Sequence, residues 1–277
     1  NIHLLFAPIF FLLRNTRVIL RLHDIKNHFA FKPAPDAKRW IRFIGKRALI
    51  KIVKEFNVIS STMVDYLKTK LPTTKKVHCI PGRVFDVARS ETLPDDLINS
   101  IRIVIPGSID QRRRNYELVF DLLHQIDQKN LQISLVLLGG ISEHGKEILD
   151  KCKLYVSRLA NLKFFQTDVV DQPIFDREME LAHFVLIPSV IHTVIFDGIS
   201  ETYGLSMSSG TIFDAIKHAK PFIIPEQLAI PDNVESSCFK YATGADIIHF
   251  LESFLIRPEN YKEWSEKAVN NSKAYTI

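Results

Sequence analysis

The stretch SSGT, Ser208 to Thr211, stands at the mouth of an apolar helical pattern, and Asp214 follows one turn inside it. Hydroxyls and an unhindered glycine backbone at a helix start favour an anion. The first N–H groups of a helix lack internal partners and carry the positive end of its dipole. A diphosphate suits such a cradle formed by Ser208, Ser209, Gly210 and Thr211. Asp214 cannot assist with phosphate, because like charges repel. It can accept hydrogen bonds from neighbouring sugar hydroxyls, as the acid of a dinucleotide fold does with a ribose. Thr211 and Asp214 also have the spacing of a capping box, in which a threonine caps the helix and the acid reciprocates. Local residues alone leave both accounts open, and the capping box is the simpler.

A second stretch, PGSIDQRRRNYE, follows a branched apolar run. Gly107 and Ser108 let backbone approach a ligand there. Arg112, Arg113 and Arg114 stand beside the start of the next helix, where guanidinium groups and free N–H groups together favour phosphate. A solvated basic turn is the equal alternative. His23 and Asp24 end another short strand, RVILRLHD, where a ligand cleft would open. A histidine can serve a hydroxyl acceptor as general base or charge stabiliser, although a lone histidine at a strand end is more often structural.

These residues need elements to hold them, and the chain supplies alternating ones. Strands are predicted at Arg17–Asp24, Phe56–Ser61 and Lys76–Gly82. Helices are predicted at Lys38–Phe56, with Ile41, Ile44, Ala48, Ile52 and Phe56 as an apolar stripe, and at Met63–Lys70 with a cap at Ser61 or Thr62. A polar stretch with Pro94 follows. Beyond it, strands at Ile101–Gly107, Gln132–Gly140, Leu162–Gln166, Phe184–Ser189 and Pro221–Pro225 alternate with helices at Tyr116–Ile126, Lys146–Leu159, Arg177–Ala182 and Thr211–His218. Runs apolar on both faces are what a covered parallel sheet requires. Repeated strand–helix units imply an α/β, doubly wound fold. Ligands of such sheets sit beyond the carboxyl ends of the strands. The expected division is residues 1–83 as part of an N-terminal domain, 84–100 as linker, and 101–277 as a Rossmann-like C-terminal domain.

The chain has 277 residues, 46 % of them hydrophobic and 24 % charged, which suits one large or two medium globular domains. A net charge of +5 favours anionic ligands without implying nucleic acid. Three cysteines, far apart and without a C-x-x-C pair, argue against a disulfide framework or zinc and for a reducing cytoplasm. No D-x-D pair calls for a metal. The longest apolar run, Leu4 to Leu13, falls well short of the roughly 20 residues that span a bilayer, so a buried helix is expected there. The chain opens at Asn1 with core-like sequence, and the expectation is that an N-terminal portion is missing.

In chain order, PGSIDQRRRN, LLGG, IPS (Ile187 to Ser189), ETYG (Glu201 to Gly204) and DAIKHAKP (Asp214 to Pro221) resemble the C-terminal domain of GT-B glycosyltransferases, especially the large family 4 group. The resemblance covers roughly Ile101 to the C-terminus. It implies a GT-B-like fold of two Rossmann-like domains, the first incomplete. It also implies sugar transfer from a nucleotide-diphosphate sugar to a hydroxyl acceptor, a glycan or a lipid-linked one, with neither metal nor cofactor. Glu201 would lie near the donor sugar or its diphosphate. Arg114 would take the place of a phosphate-binding lysine, and Thr167 to Val170 would face the base. The departing diphosphate would be stabilised by helix dipoles and cations, and the sugar would pass through an oxocarbenium-like state. At the family's usual spacing after Glu201 the second acid position falls on Ser209. Aligning on the Lys-Pro pair instead puts Asp214 there and resembles a second GT-B branch, the lipid-linked amino-sugar transferases. This alignment keeps loop, helix, acid and following strand together.

Two other classes compete: a GT-B-fold nucleotide-sugar epimerase and a non-catalytic scaffold that only binds nucleotide sugar. The helix carrying Lys38, Arg39, Arg42, Lys46, Arg47, Lys51 and Lys54 would rest on an anionic inner membrane leaflet, or be an ordinary helix with a solvated basic face. With its apolar stripe in the core, any such attachment would be electrostatic.

Overall fold

The computed structural model describes residues 9, 12, 16–29, 36–87, 100–156, 161–196 and 198–276. The chain forms two compact units: Asn1–Gly82 with His192–Ser209, and Arg83–Ile191 with Gly210–Ile277. The expected boundaries at 83 and 101 differ from this division in one main respect. Residues 192–209 belong with the first unit, not with the surrounding C-terminal sequence. Most of the expected linker, residues 88–99, lies outside the described residues, as does most of the apolar run Leu4 to Leu13.

The first unit is built on a three-stranded parallel sheet in the order β1 (Ile19–Arg21), β2 (Glu55–Val58), β3 (Lys76–Cys79). Between the strands run a single turn of helix, α1 (Ile25–Phe29), then α2 (Ala37–Ile52) and α3 (Ser61–Lys68). Asp36 caps α2 through the backbone N–H of Lys38. The expected cap of α3 at Ser61 or Thr62 lies at Ser60, whose hydroxyl instead meets that of Thr62 at 2.7 Å. An antiparallel hairpin, β8 (His192–Phe196) and β9 (Ile199–Thr202), completes the unit.

The apolar stripe of α2 is placed otherwise than expected. Ile41, Ile44 and Ile52 are exposed, with Trp40 beside them. The buried residues of the helix are Gly45, Lys46 and Leu49. Lys46 can be buried because its ammonium donates to both the carbonyl and the side-chain oxygen of Asn27, each at 2.9 Å.

The second unit is a six-stranded parallel sheet in the order β11-β10-β7-β4-β5-β6. Its strands are β4 (Ile101–Pro106), β5 (Ile133–Leu138), β6 (Leu162–Phe164), β7 (Phe184–Leu186), β10 (Phe222–Pro225) and β11 (Cys238–Tyr241). Among the described residues six α-helices accompany them: α4 (Tyr116–Gln128), α5 (Lys146–Val156), α6 (Gln172–Glu180), α7 (Gly210–Lys217), α8 (Gly244–Ile256) and α9 (Asn260–Ser272). Central strands buried on both faces explain the long apolar runs of the sequence. The chain builds outward from β4 to β6, then restarts at β7 and builds the other way. The order therefore reverses between β4 and β7, and a doubly wound sheet offers its ligand crevice at the carboxyl ends of such a pair.

Candidate functional site

The loops after β4 and β7 are joined at this reversal. Asn115 N–H donates to Pro188 O at 2.7 Å, and Val190 N–H to Arg113 O at 3.0 Å. Asn115 then caps α4 by accepting from Leu118 N–H at 3.1 Å. The loops after β5 and β6 nest behind. Ile109 N–H donates to Gly140 O, and Ile141 N–H to Thr167 O. A side chain at Gly140 would collide with the carbonyl of Asp168.

Arg114 is held at the centre of the reversal. Its Nη1 donates to Ser108 O at 2.7 Å, and its Nη2 to Pro106 O at 2.8 Å and to Thr211 Oγ1 at 3.3 Å. Its guanidinium lies against Gly107, which has φ +95° and where any Cβ would strike it. The backbone conformation at 107 thus favours glycine, and a Cβ there would force the Arg114 guanidinium to shift.

Arg112 and Arg113 are occupied elsewhere. Arg112 pairs with the buried Asp110 at 3.1 Å, and Arg113 approaches the same carboxylate at 3.6 Å. Burial opposes ionisation of Asp110. The hydrogen bonds from the Arg112 side chain and backbone, with the charges of both arginines, outweigh it and hold the carboxyl below its usual range. Of the candidates on this loop, the structure brings Arg114 to the start of α7, with Gly107 and Ser108 against its guanidinium, and turns Arg112 toward Asp110.

The start of α7 presents Gly210 and Thr211. Space around Gly210 is open, with nothing within 4 Å of where a Cβ would lie. Asp214, mostly buried, pairs with Arg83 Nε at 3.3 Å. Burial pushes its carboxyl above the ordinary range, and Arg83, Lys217 and Arg114 pull it back. The capping box considered for Thr211 and Asp214 is not formed. Thr211 lies inside the helix with its hydroxyl toward Arg114, and among the described residues neither side chain bonds a backbone N–H of the helix start.

The remaining candidates belong to the first unit. Ser208 N–H donates to His23 O at 3.0 Å, and its hydroxyl lies 3.5 Å from His23 Nδ1. Ser209 is buried. The four residues Ser208 to Thr211 are therefore divided between the units. Asp24 accepts from Asn27 Nδ2 at 2.8 Å. Glu201 is buried on β9 and accepts from Asn27 N–H at 2.7 Å, Lys26 N–H at 3.3 Å and the Ser206 hydroxyl at 2.6 Å. Burial raises its pKa, and those three donors oppose the rise. Both oxygens are thus engaged in fastening the hairpin to the first turn of α1. His23, Asp24, Glu201 and Ser208 do form one neighbourhood, which their sequence separation hides.

Among the described residues no cluster of histidine, cysteine and carboxylate side chains has the form of a metal site. Sequence reasoning missed Arg83, the partner of Asp214. No local signal marks it, because the two are far apart in the chain.

No protein-family model matches the sequence, and none of the curated proteins matches it. Solved structures share its fold. Sucrose-phosphate synthase from Thermosynechococcus elongatus superposes with a TM-score of 0.61 at 18 % identity, over 98 % of this chain and 67 % of that one. Anabaena HepE in complex with UDP gives 0.67 at 13 %, over 99 % and 71 %. Trehalose 6-phosphate synthase from Burkholderia multivorans gives 0.61 at 10 %, over 98 % and 66 %. The chain thus has the GT-B fold expected from its motif order. At these identities the likeness establishes the fold alone.

Proposed function

We propose that this chain is a glycosyltransferase whose second unit binds a nucleotide-diphosphate sugar. One observation carries this reading: Arg114 is fixed at the strand-order reversal, against Thr211 at the start of α7, where Gly210 is open. Cation, helix start and accessible backbone together form an anion site suited to a diphosphate. Asp214, one turn on, is the acceptor for ribose hydroxyls. In transfer, Arg114 and the α7 dipole would stabilise the charge that develops on the leaving diphosphate. HepE has been crystallised with UDP and with UDP-glucose, which supports a uridine nucleotide as the first probe. Two of the solved structures named above are a sucrose-phosphate synthase and a trehalose 6-phosphate synthase, which favours transfer over epimerisation. His23 and Asp24, in the first unit, are the candidates to serve the hydroxyl acceptor.

A lipid-linked acceptor suits α2, where Trp40, Ile41, Ile44 and Ile52 are exposed among Lys38, Arg47 and Lys51. An apolar strip edged by cations matches an anionic leaflet, with insertion added to the electrostatic attraction first expected. Calorimetric titration with UDP, GDP and ADP tests the donor site, and absence of binding by all three would remove the reading. Co-sedimentation with phosphatidylserine vesicles at low and high salt tests α2, and protein left in the supernatant at low salt would end that part.

A further inference from the structure

We infer that Arg83 is a second diphosphate ligand of the donor site, held on Asp214 until a nucleotide claims both groups. The inference deepens the proposed nucleotide-sugar reading and rests on it. Arg83 belongs to the second unit, and its chain is fixed there. Two residues on, Phe85 is buried and its N–H donates to Tyr275 O at 3.0 Å.

The ion pair itself is incomplete. Arg83 reaches Asp214 through Nε alone, at 3.3 Å, and not through the two-pronged contact that guanidinium and carboxylate favour. Among the described residues neither terminal nitrogen of Arg83 has a hydrogen-bond partner. Its side chain is 55 % exposed, whereas that of Asp214 is 15 % exposed. A half-solvated cation thus stands over the carboxylate that the ribose would need. Arg114, held at Thr211, is close enough for its charge to be felt at Asp214. Both arginines therefore serve the same end of α7.

Ligand chemistry follows from this competition. A nucleoside brings hydroxyls for Asp214 but nothing for Arg83, so it must displace an ion pair without replacing it. A nucleoside diphosphate brings both. Its ribose takes the carboxylate, and its phosphate oxygens take the released guanidinium. Arg83 would therefore make the site favour the diphosphate and disfavour the bare nucleoside.

The test is a titration of UDP and of uridine into the wild-type chain, Arg83→Ala and Arg83→Lys. A charge-assisted contact is worth a factor of about ten or more. Arg83→Ala should weaken UDP at least about tenfold and leave uridine equal or tighter, so that the preference for UDP over uridine collapses. Arg83→Lys keeps the charge and should retain most of that preference. Parallel changes for both ligands, or none, in a wild-type chain that binds UDP would overturn this inference and leave the donor site standing. If the wild-type chain binds neither UDP nor another nucleoside diphosphate, the functional reading falls and this inference with it.

Discussion

Replacing Gly107 by alanine should disable the proposed donor loop through Arg114. Two costs add. The first is backbone strain: φ is +95°, a conformation an L side chain adopts only at a cost of order 1–3 kcal/mol. The second is displacement. The new methyl would occupy the place of the Arg114 guanidinium, which donates to Pro106 O, Ser108 O and Thr211 Oγ1. Losing one charge-assisted bond of this kind costs roughly 1.5–3 kcal/mol. The single variant should therefore lose about 2.5–6 kcal/mol by urea unfolding. In an Arg114→Ala background the displacement term is already gone, and only the strain of about 1–3 kcal/mol remains. A four-protein cycle of wild type, both single variants and the double variant isolates the difference as a coupling of about 1.5–3 kcal/mol. Equal costs of Gly107→Ala in the two backgrounds would refute the contact. Titration with UDP adds a functional readout, in which Gly107→Ala and Arg114→Ala should weaken binding to similar degrees.

Three further outcomes are expected. Arg114→Ala should lower affinity for UDP more than for uridine, and equal losses would mean that Arg114 does not meet phosphate. Asp214→Ala should weaken UDP at least about tenfold; an unchanged dissociation constant in a folded variant would leave Asp214 as the partner of Arg83 only. His183 supplies a pH test. Its Nδ1 accepts from Arg102 N–H at 2.8 Å, and burial, then the charges of Lys220 and Arg102, lower its pKa to about 4. The folded pKa lies below the unfolded value near 6.5, so its contribution is complete above pH 6.5 and is lost as pH falls toward 4. The loss should reach about 3 kcal/mol relative to His183→Asn, which keeps an acceptor without a proton to gain. Parallel pH curves for the two proteins would refute this account.

The parallel sheet of the second unit was legible because burial on both faces leaves unbroken runs such as IVI and LVLL. Periodicity was a poorer guide to α2. Spacing showed that Ile41, Ile44 and Ile52 share a face, but spacing does not say which face is covered. A lysine that finds two oxygens on Asn27 can be buried while isoleucines stay in solvent. The hairpin β8–β9 was not anticipated, and its assignment to the first unit rests on contacts distant in sequence. The capping box of α8, Thr243 with Asp246, was present as a spacing and passed over. Asp214 looked free to bind sugar hydroxyls because its cation lies 131 positions away.

The three consecutive arginines show how a composition signal divides into roles. A loop of this length cannot aim three neighbouring side chains at one ligand, and the sequence leaves open which of them turn away. Asp110 decides the matter. It is 3 % exposed, and an ionised carboxylate at that depth is costly unless nearby cations neutralise it. Arg112 and Arg113 supply that neutralisation and close the loop on itself. Arg114 is left with two carbonyl partners and the Thr211 hydroxyl, which satisfy N–H groups without cancelling its charge. A guanidinium hydrogen-bonded only to neutral oxygens keeps more of its attraction for an anion than one paired directly with a carboxylate, though Asp214 feels its charge. The basic triplet thus amounts to two charges spent on Asp110 and one, on Arg114, left for the proposed diphosphate site, and removing Asp110 would free cations that now stabilise the loop.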